Sequence, residues 1–169
     1  DVCSSDLNSK YDKVKRGEAV FTPYEEKGYE VFKTHCSACH AEPLFTNGEF
    51  ENNGLPQDEV LKDIGRMKIT QNAEDSLLFK VPTLRNVEFS FPYMHDGRFT
   101  RLNEVINHYT GGIRPGKTLS TKLRQPIIIT SDQKVELIAF LLTLTDKTFL
   151  FNPEHSYPKK ILNLKTKDY

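Results

Sequence analysis

The strongest helical patterns of this chain each begin at a capping signature. Thr22-Pro23-Tyr24-Glu25 combines a capping box with a proline at the first helical position, and it predicts a helix over residues 23–35. Within that segment Gly28 and Phe32 lie one turn apart. A small residue beside an aromatic residue suits close crossing by a second helix, so we expect this face to be buried.

Thr130-Ser131-Asp132-Gln133 opens a second helix, predicted over residues 131–144. Burial of a large apolar side chain contributes about 1.5–3 kcal/mol, so this segment is expected to be the best-buried helix. We expect Phe140 to pack on the face formed by Gly28 and Phe32. The apolar positions are Val135, Ile138, Ala139 and Leu142 on the main face, flanked by Leu137, Phe140, Leu141 and Leu144.

Weaker patterns predict two short helices and long connecting loops. Residues 101–109 carry apolar side chains at helical spacing and end at Gly111-Gly112, and a short helix is also expected near residues 57–64. Proline and glycine interrupt residues 41–57 and 81–99. The second of these loops is rich in aromatic residues, which favours a loop wrapped over a cofactor, although a loop packed on ordinary core fits the same pattern. Its aromatic residues are Phe89, Phe91, Tyr93 and Phe99.

Cys36-Ser37-Ala38-Cys39-His40 directly follows the first predicted helix. This C-x-x-C-H spacing is typical of covalent haem c attachment, in which two thiols meet the two vinyl groups and His40 binds the iron through its neutral imidazole. A zinc half-site would need a second ligand pair at similar spacing, and none follows. A thioredoxin-like redox pair would need a βαβ context, which the pattern lacks. With helices before the motif and at the end, the chain is predicted to be an all-α, cytochrome c-like haem domain with long loops.

Composition adds few constraints. Acidic and basic residues balance at 23 each, so no net charge favours a nucleic-acid partner. The hydrophobic fraction of 37% is modest for a free-standing core, and a buried haem would supply apolar volume. No apolar run approaches the ~20 residues of a transmembrane helix. Haem c is attached outside the cytoplasmic membrane, yet the first residues do not form a secretory signal, so we expect the natural N-terminus to be missing.

The chain ends are interpreted separately from the domain. Residues 1–7 match the translation of a common sequencing-adapter oligonucleotide, so we treat them as a scar, and Cys3 then has no function. A natural polar N-terminus with a spare thiol is the alternative. If the scar is real, an upstream domain is also expected to be missing. Residues 8–21 are expected to form a polar approach segment, residues 22–148 the haem domain, and residues 149–169 a basic, aromatic tail.

Two further stretches resemble bacterial di-haem cytochrome c peroxidases and their relative MauG. They are FKVPTLRNV at residues 79–87 and PYMHDGRF at residues 92–99. The resemblance extends over roughly residues 11–146 and matches the second, C-terminal haem domain of the two in the family. It implies an oxidoreductase in which this domain takes electrons from a small donor protein and passes them to a first haem, where hydrogen peroxide is reduced.

The resemblance also implies roles for individual residues. Arg85 is placed to pair with a haem propionate, and a structural salt bridge is its alternative. His95 resembles a family histidine near the inter-haem region, and a hydrogen-bonded buried histidine is its alternative. Ser90 and the Pro92 carbonyl match two oxygen ligands of a calcium ion that the family binds between its domains. The peroxidatic residues of the family lie outside the matched part, so no catalytic residue is named.

The sixth ligand of the haem iron is where this sequence departs from the peroxidases. In those enzymes a methionine lies fourteen residues after the histidine of the PYxHDG stretch, and here that position is Tyr109. MauG also carries a tyrosine ligand at this place. A phenolate lowers the reduction potential of the iron relative to a thioether. Tyr109 is therefore the first candidate, with Met94 and Met67 as rivals and a core tyrosine beside five-coordinate or histidine-ligated iron as the remaining alternative.

Three functions are compatible with these residues. The first is the electron-transfer domain of a periplasmic di-haem peroxidase that receives electrons from a cytochrome c or a cupredoxin. The second is a MauG-like oxidase of a protein or organic substrate, which Tyr109 favours. The third is a mono-haem electron carrier without catalysis. We also consider a homodimer, and we expect no nucleic-acid partner.

Overall fold

The structure, a computed structural model, describes residues 8–155, which are mainly helical. The first helix, α1 (Lys10–Lys15), lies in the segment expected to be a polar approach. Asp12 caps it by accepting hydrogen bonds from the amide and hydroxyl of Ser9 at 3.0 and 2.6 Å. The side chain of Tyr11 is only 3% exposed, and its amide donates to the Thr143 carbonyl at 3.0 Å. The segment that the sequence suggested to be a polar approach thus contains a helix that contributes to the core.

Helix α2 (Pro23–His35) has the predicted bounds. Thr22 Oγ1 accepts from the Glu25 amide at 3.3 Å, and Glu25 Oε2 accepts from the Thr22 amide at 2.7 Å. This reciprocal pair satisfies two amides that the start of a helix leaves unpaired. The helix ends where the C-x-x-C-H motif begins, so its C-terminus sets the position of the motif.

The long helix near the C-terminus, α5 (Ser131–Leu142), crosses α2 at Gly28. A Cβ atom on Gly28 would lie 1.9 Å from the Glu136 carbonyl oxygen, so only glycine permits this approach. The helix ends two residues earlier than predicted, because the Thr143 amide and hydroxyl both donate to the Phe140 carbonyl.

Aromatic rings fill the space between these helices. The Phe140 ring lies 5.1 Å from that of Phe32 and 5.0 Å from that of Tyr29, which confirms the predicted packing of Phe140 on α2. Tyr11 adds an edge contact to Phe45 at 4.8 Å between ring centroids. Such pairs contribute about 0.5–1.5 kcal/mol beyond the area they bury.

The loops between the helices contain one small sheet, so the prediction of an all-α fold holds only roughly. Strand β1 (Phe50–Glu51) pairs antiparallel with β2 (Phe79–Lys80), and α3 (Met67–Thr70) lies between them in the chain. The helix expected near residues 57–64 was wrong. Asp58 Oδ1 accepts from the amides of Val60 and Leu61, as an N-cap residue does, and the Lys62 amide donates to the Asp58 carbonyl at 2.9 Å. The single turn ends at Lys62, whose φ of 45° lies in the left-handed region.

The predicted helix at residues 101–109 is split into two elements. Helix α4 (Leu102–Asn107) continues directly into a π-helical turn at His108–Gly112. In the aromatic loop at residues 81–99, Phe89 and Phe91 are 41% and 60% exposed, so this loop is only partly packed. The remaining elements are α6 (Lys147–Leu150) and 3₁₀ turns at Ala73–Asp75, Val87–Phe89, Thr121–Leu123 and Pro153–His155.

Two expectations concern parts of the chain that are only partly covered or not covered. The proposed scar at residues 1–7 lies outside the described residues, as does residue 156 onward of the predicted tail. Among the described residues, none of the helices combines the length and apolar character that crossing a lipid bilayer requires.

Candidate haem site

The two motif cysteines lie on one tight turn at the end of α2. The Cys36 amide donates to the Phe32 carbonyl at 2.8 Å, and the His40 amide donates to the Cys36 carbonyl at 2.9 Å. Cys36 and Cys39 are both free thiols and half-buried. Burial, with a smaller contribution from Cys39, raises the pKa of Cys36 to about 12, so this thiol is protonated at neutral pH. The turn therefore presents two unmodified thiols and the histidine together.

His40 is held by its Nδ1 atom. This nitrogen lies 3.1 Å from the carbonyl oxygens of both Phe45 and Pro82. A carbonyl only accepts hydrogen bonds, so Nδ1 must carry the proton, and the lone pair of Nε2 is left for a metal. Burial lowers the pKa of His40, and the two hydrogen bonds only partly oppose it. The imidazole is thus kept in the neutral form that iron ligation needs.

The Tyr109 phenol lies in the π-helical turn after α4 and is tied to Asn53. Its oxygen is 3.5 Å from Asn53 Nδ2, which is also 3.6 Å from Met94 Sδ. Burial raises the pKa of Tyr109, the hydrogen bond from Asn53 lowers it, and the thiols of Cys36 and Cys39 raise it again. Asn53 Nδ2 thus brings the Tyr109 phenol and a rival ligand, the Met94 thioether, to one hydrogen-bond donor.

The available donor groups fit haem c. Two thiols, an imidazole with a fixed tautomer and a phenol beside a thioether would provide both attachment points and candidate protein ligands for the iron. Of the two methionines, Met94 shares Asn53 with Tyr109, whereas Met67 begins α3 beside Ile69, which is 84% exposed. The structure therefore favours Met94 over Met67 as the rival of Tyr109.

Arg85 is already occupied by protein groups. Its Nη1 and Nη2 atoms each lie 2.9 Å from an oxygen of Asp12, and Nε and Nη2 also donate to the Pro43 carbonyl at 3.1 and 2.7 Å. The pair is almost fully buried. These contacts favour the structural salt bridge over the haem propionate as the partner of Arg85.

His95 stacks on an aromatic ring. Its imidazole lies 3.7 Å from the Phe79 ring, with only 10° between the planes, and its side chain is 15% exposed. Burial lowers the pKa of His95, although the nearby Asp96 opposes that change. Asp96 is itself engaged by Arg98, which also donates to the Pro56 carbonyl at 2.8 Å. The imidazole is packed on the Phe79 ring, but the residue is exposed overall and its Nε2 lies 4.0 Å from Asp96 Oδ2, so the alternative of a hydrogen-bonded buried histidine is met only in its packing.

The two proposed calcium ligands lie at the exposed end of the aromatic loop. Ser90 Oγ donates to the Val87 carbonyl at 3.3 Å, and both Ser90 and Pro92 are exposed. Within the part of the chain that the structure describes, no three His, Cys, Asp or Glu side chains group as a metal site would need. The calcium assignment remains a proposal based on the family resemblance.

Sequence reasoning missed two residues of this region. Asn53 was treated only as part of a loop, although it contacts both candidate ligands. Lys122 forms an ion pair with Glu51 at 2.6 Å, and it lies near enough to Cys39 to act on the pKa of that thiol, which burial raises and Lys122 lowers. Both contacts join residues far apart in the chain, and no local pattern signals them.

A scan against protein-family models finds no match. The methylamine utilization protein MauG of Paracoccus denitrificans is 36% identical, over 86% of this chain and 48% of its own length. The cytochrome c551 peroxidase of Nitrosomonas europaea is 33% identical, over 81% of this chain and 39% of its own length.

The chain is also similar to solved structures of a MauG-like protein and of a diheme peroxidase. A MauG-like protein associated with microbial copper homeostasis superposes with a TM-score of 0.74 at 31% identity, covering 90% of this chain and 52% of the other. The diheme peroxidase BthA from Burkholderia thailandensis shares the fold, with a TM-score of 0.66 at 21% identity over 85% of this chain and 48% of the other. The chain spans about half the length of the relatives it matches.

Proposed function

Since the homologues of this chain are MauG and the di-haem cytochrome c peroxidases, we propose that it is the electron-transfer haem c domain of a periplasmic di-haem peroxidase. The observation that carries this proposal is the C-x-x-C-H turn with His40 fixed in its iron-binding tautomer. Haem c is the cofactor that these homologues imply. When bound, it supplies one-electron redox chemistry at the iron.

The protein groups hold and tune the cofactor. Cys36 and Cys39 would form the two thioether bonds, and His40 Nε2 would bind the iron. The carbonyls of Phe45 and Pro82 keep the imidazole proton on Nδ1, which orients the ring and increases its basicity as a ligand. Tyr109 is the proposed second protein ligand of the iron.

The proposed reaction joins this domain to two partners. A small donor protein, a cytochrome c or a cupredoxin, would supply this domain with electrons one at a time. The full protein would then use two electrons and two protons to reduce each hydrogen peroxide to two water molecules in another domain. The same proposal includes three further features. They are a calcium ion bound by Ser90 and Pro92, a role for His95 near the second haem, and a homodimer.

Tyr109 favours a second candidate function. A phenolate ligand stabilises ferric and higher oxidation states relative to a thioether, and this suits a MauG-like oxidase that acts on a protein or organic substrate. Tyr109 and Met94 share one hydrogen-bond donor, so the axial ligand is the point on which the two functions differ. A mono-haem carrier without catalysis is the third candidate.

The test is turnover by the full product of the gene, purified from the periplasm with its haem. A peroxidase oxidises two molecules of reduced donor for each peroxide consumed. Oxidation of an added protein or organic substrate without donor consumption would identify the oxidase instead. Reversible reduction of the haem by the donor, with no peroxide consumption, would support the carrier.

Covalent attachment is checked separately by haem staining after denaturation. The wild-type chain should stay stained, whereas Cys36→Ala/Cys39→Ala should lose the stain. An unstained wild-type chain, matured in cells that attach haem c, would contradict all three haem-based functions.

A further inference from the structure

We propose that Asn53 is the positioning residue that selects the second protein ligand of this haem iron. Its side-chain amide holds the Tyr109 phenol in place as the ligand and leaves the Met94 thioether as the competing ligand. The inference rests on the proposed function, because it requires haem c at Cys36, Cys39 and His40. It goes further by assigning a role to a residue that binds neither iron nor substrate.

The side-chain amide of Asn53 is oriented by its own contacts. Asn53 Oδ1 accepts from the Leu55 amide at 3.2 Å, so Nδ2 is the end that faces Tyr109 and Met94. The Asn53 carbonyl lies 3.0 Å from His108 Nε2. Two anchors thus fix the residue on both its side chain and its backbone.

The backbone after Asn53 is equally constrained. Gly54 has a φ of +70°, and a Cβ atom there would lie 2.6 Å from Ile113 Cγ2 and 2.9 Å from the Arg114 carbonyl oxygen. The Arg114 amide donates to the Gly54 carbonyl at 2.8 Å. This close approach ties the Asn53 loop to the segment that follows the Tyr109 turn, so the two sides of the contact move together.

Met94 is held against Asn53 in an unusual conformation. Its φ of 70° lies in the left-handed region, which non-glycine residues adopt rarely. Such a conformation is strained for a residue with a Cβ atom and persists only where the surroundings enforce it. The flanking Tyr93 amide donates to the Phe99 carbonyl at 2.7 Å and closes the turn. The fold therefore maintains the thioether beside the phenol.

The chemistry of the contact favours oxygen over sulfur. An amide N–H donates strongly to a phenolate oxygen, because the acceptor is charged, and only weakly to a thioether. The hydrogen bond from Asn53 therefore favours Tyr109 over Met94 as the iron ligand. When Asn53 is replaced, Tyr109 loses this stabilisation, and Met94, which contacts the same amide, can bind the iron instead.

The test uses the haem-loaded chain and two variants. Asn53→Asp keeps the shape but removes the N–H donor, and Asn53→Leu removes both polar ends. Ferric optical and electron paramagnetic resonance spectra, with the reduction potential, are the measurements. Both variants should lose the phenolate charge-transfer signature, gain the near-infrared band of thioether–ferric coordination and show a higher potential.

Further variants make the result specific. Adding Met94→Leu to Asn53→Leu should abolish the thioether band. The matched control is Asn72→Leu, which removes an exposed asparagine cap and should leave the haem spectrum unchanged. If Asn53→Leu fails to fold, Asn53→Asp and Met94→Leu alone still decide the question, because Met94→Leu should keep the phenolate signature.

Two outcomes would overturn the inference. One is a phenolate signature that survives loss of Asn53. The other is a wild-type haem without tyrosine coordination, which leaves the haem function intact and removes only the selection by Asn53. Failure of the wild-type chain to take up haem would instead count against the proposed function, so the two failures are distinguishable.

Discussion

Asp12 and Arg85 form a bidentate ion pair whose side chains are 9% and 6% exposed. Taking either partner away leaves a buried charge without compensation, which costs about 3–5 kcal/mol. The pair links α1 to the loop after β2, and the Pro43 carbonyl adds a third acceptor from the loop that follows the haem motif. One guanidinium thus holds three separate parts of the chain.

We expect Arg85→Met to lower the free energy of unfolding of the haem-loaded chain by about 3–5 kcal/mol, because Asp12 would stay buried and unpaired. Urea unfolding followed by circular dichroism measures this. Arg124→Met, at an exposed position, should stay within about 0.5 kcal/mol of wild type. An unchanged stability together with a changed reduction potential would instead support pairing with a propionate.

The same pair predicts a pH dependence. Burial alone would raise the pKa of Asp12, but hydrogen bonds from Arg85 and Ser9 outweigh it and hold the pKa below its usual range. The resulting stabilisation is complete above the unfolded pKa of about 3.9 and is lost as the pH falls toward the folded value. Unfolding free energies measured between pH 6 and pH 3 should fall less steeply in Asp12→Asn than in wild type. Equal slopes would contradict this origin.

Local motifs could be found in the sequence at this scale, whereas long-range partners could not. The C-x-x-C-H motif is contiguous, so its candidate role was proposed from spacing alone. The partner of Arg85 could not be decided from the sequence, because the sequence does not show that Asp12 lies beside it. The contacts of Asn53 could not be predicted for the same reason, since Met94 and Tyr109 lie 41 and 56 residues away in the chain.

The elements that carry the haem motif are fixed by the crossing of α2 and α5. Gly28 brings the two backbones close enough that Phe140 reaches Phe32 and Tyr29 on the facing helix. Because the motif begins where α2 ends, any shift of this crossing moves Cys36 and His40 relative to the rest of the site. Packing between two helices therefore determines the geometry of the cofactor site.

Gly28→Ala should separate these helices. The added methyl group would meet the Glu136 carbonyl at 1.9 Å, and overpacking of this kind costs about 1–3 kcal/mol. Thermal unfolding of the haem-loaded chain should show a lower midpoint. Gly116→Ala, where a Cβ atom has no neighbour within 4 Å, is the control. A wild-type midpoint in Gly28→Ala would show that the crossing is looser than described.

Helices with complete capping signatures were predicted well, and short elements were not. The boxes at Thr22 and Thr130 gave the correct start of α2 and α5. Helix α1 has only six residues, and its Ser9–Asp12 box went unnoticed in a polar segment. A short helix was expected near residues 57–64, but Asp58 caps only a single turn, which ends at Lys62 in a left-handed conformation that the sequence does not indicate.

Helix α1, near the start of the described residues, completes the hydrophobic core. Tyr11 packs its ring against Phe45 and Phe140, and its amide joins the Thr143 carbonyl at the end of α5. Residues near the two ends of the described chain therefore complete one core. Hydrophobic pattern alone did not reveal this, because a single tyrosine among charged residues resembles a linker.

Tyr11→Ala should destabilise the haem-loaded chain by about 3 kcal/mol or more, as expected when a buried aromatic ring is removed. Tyr24→Ala is the matched control, because that side chain is 62% exposed. Urea unfolding of the two variants gives the comparison. Equal effects would mean that α1 does not support the core.

The Asn8 amide donates to an Asp146 carboxylate oxygen at 3.2 Å, so residues just before α1 and just after α5 lie together. A recombination breakpoint between these two residues would divide one core between two genes. A crossover between α1 and α2 would give one product with an incomplete aromatic core and another product that carries the charged helix α1 without its packing partners. Tandem duplication or shuffling of these domains is thus expected to carry the short leading helix along with each haem motif.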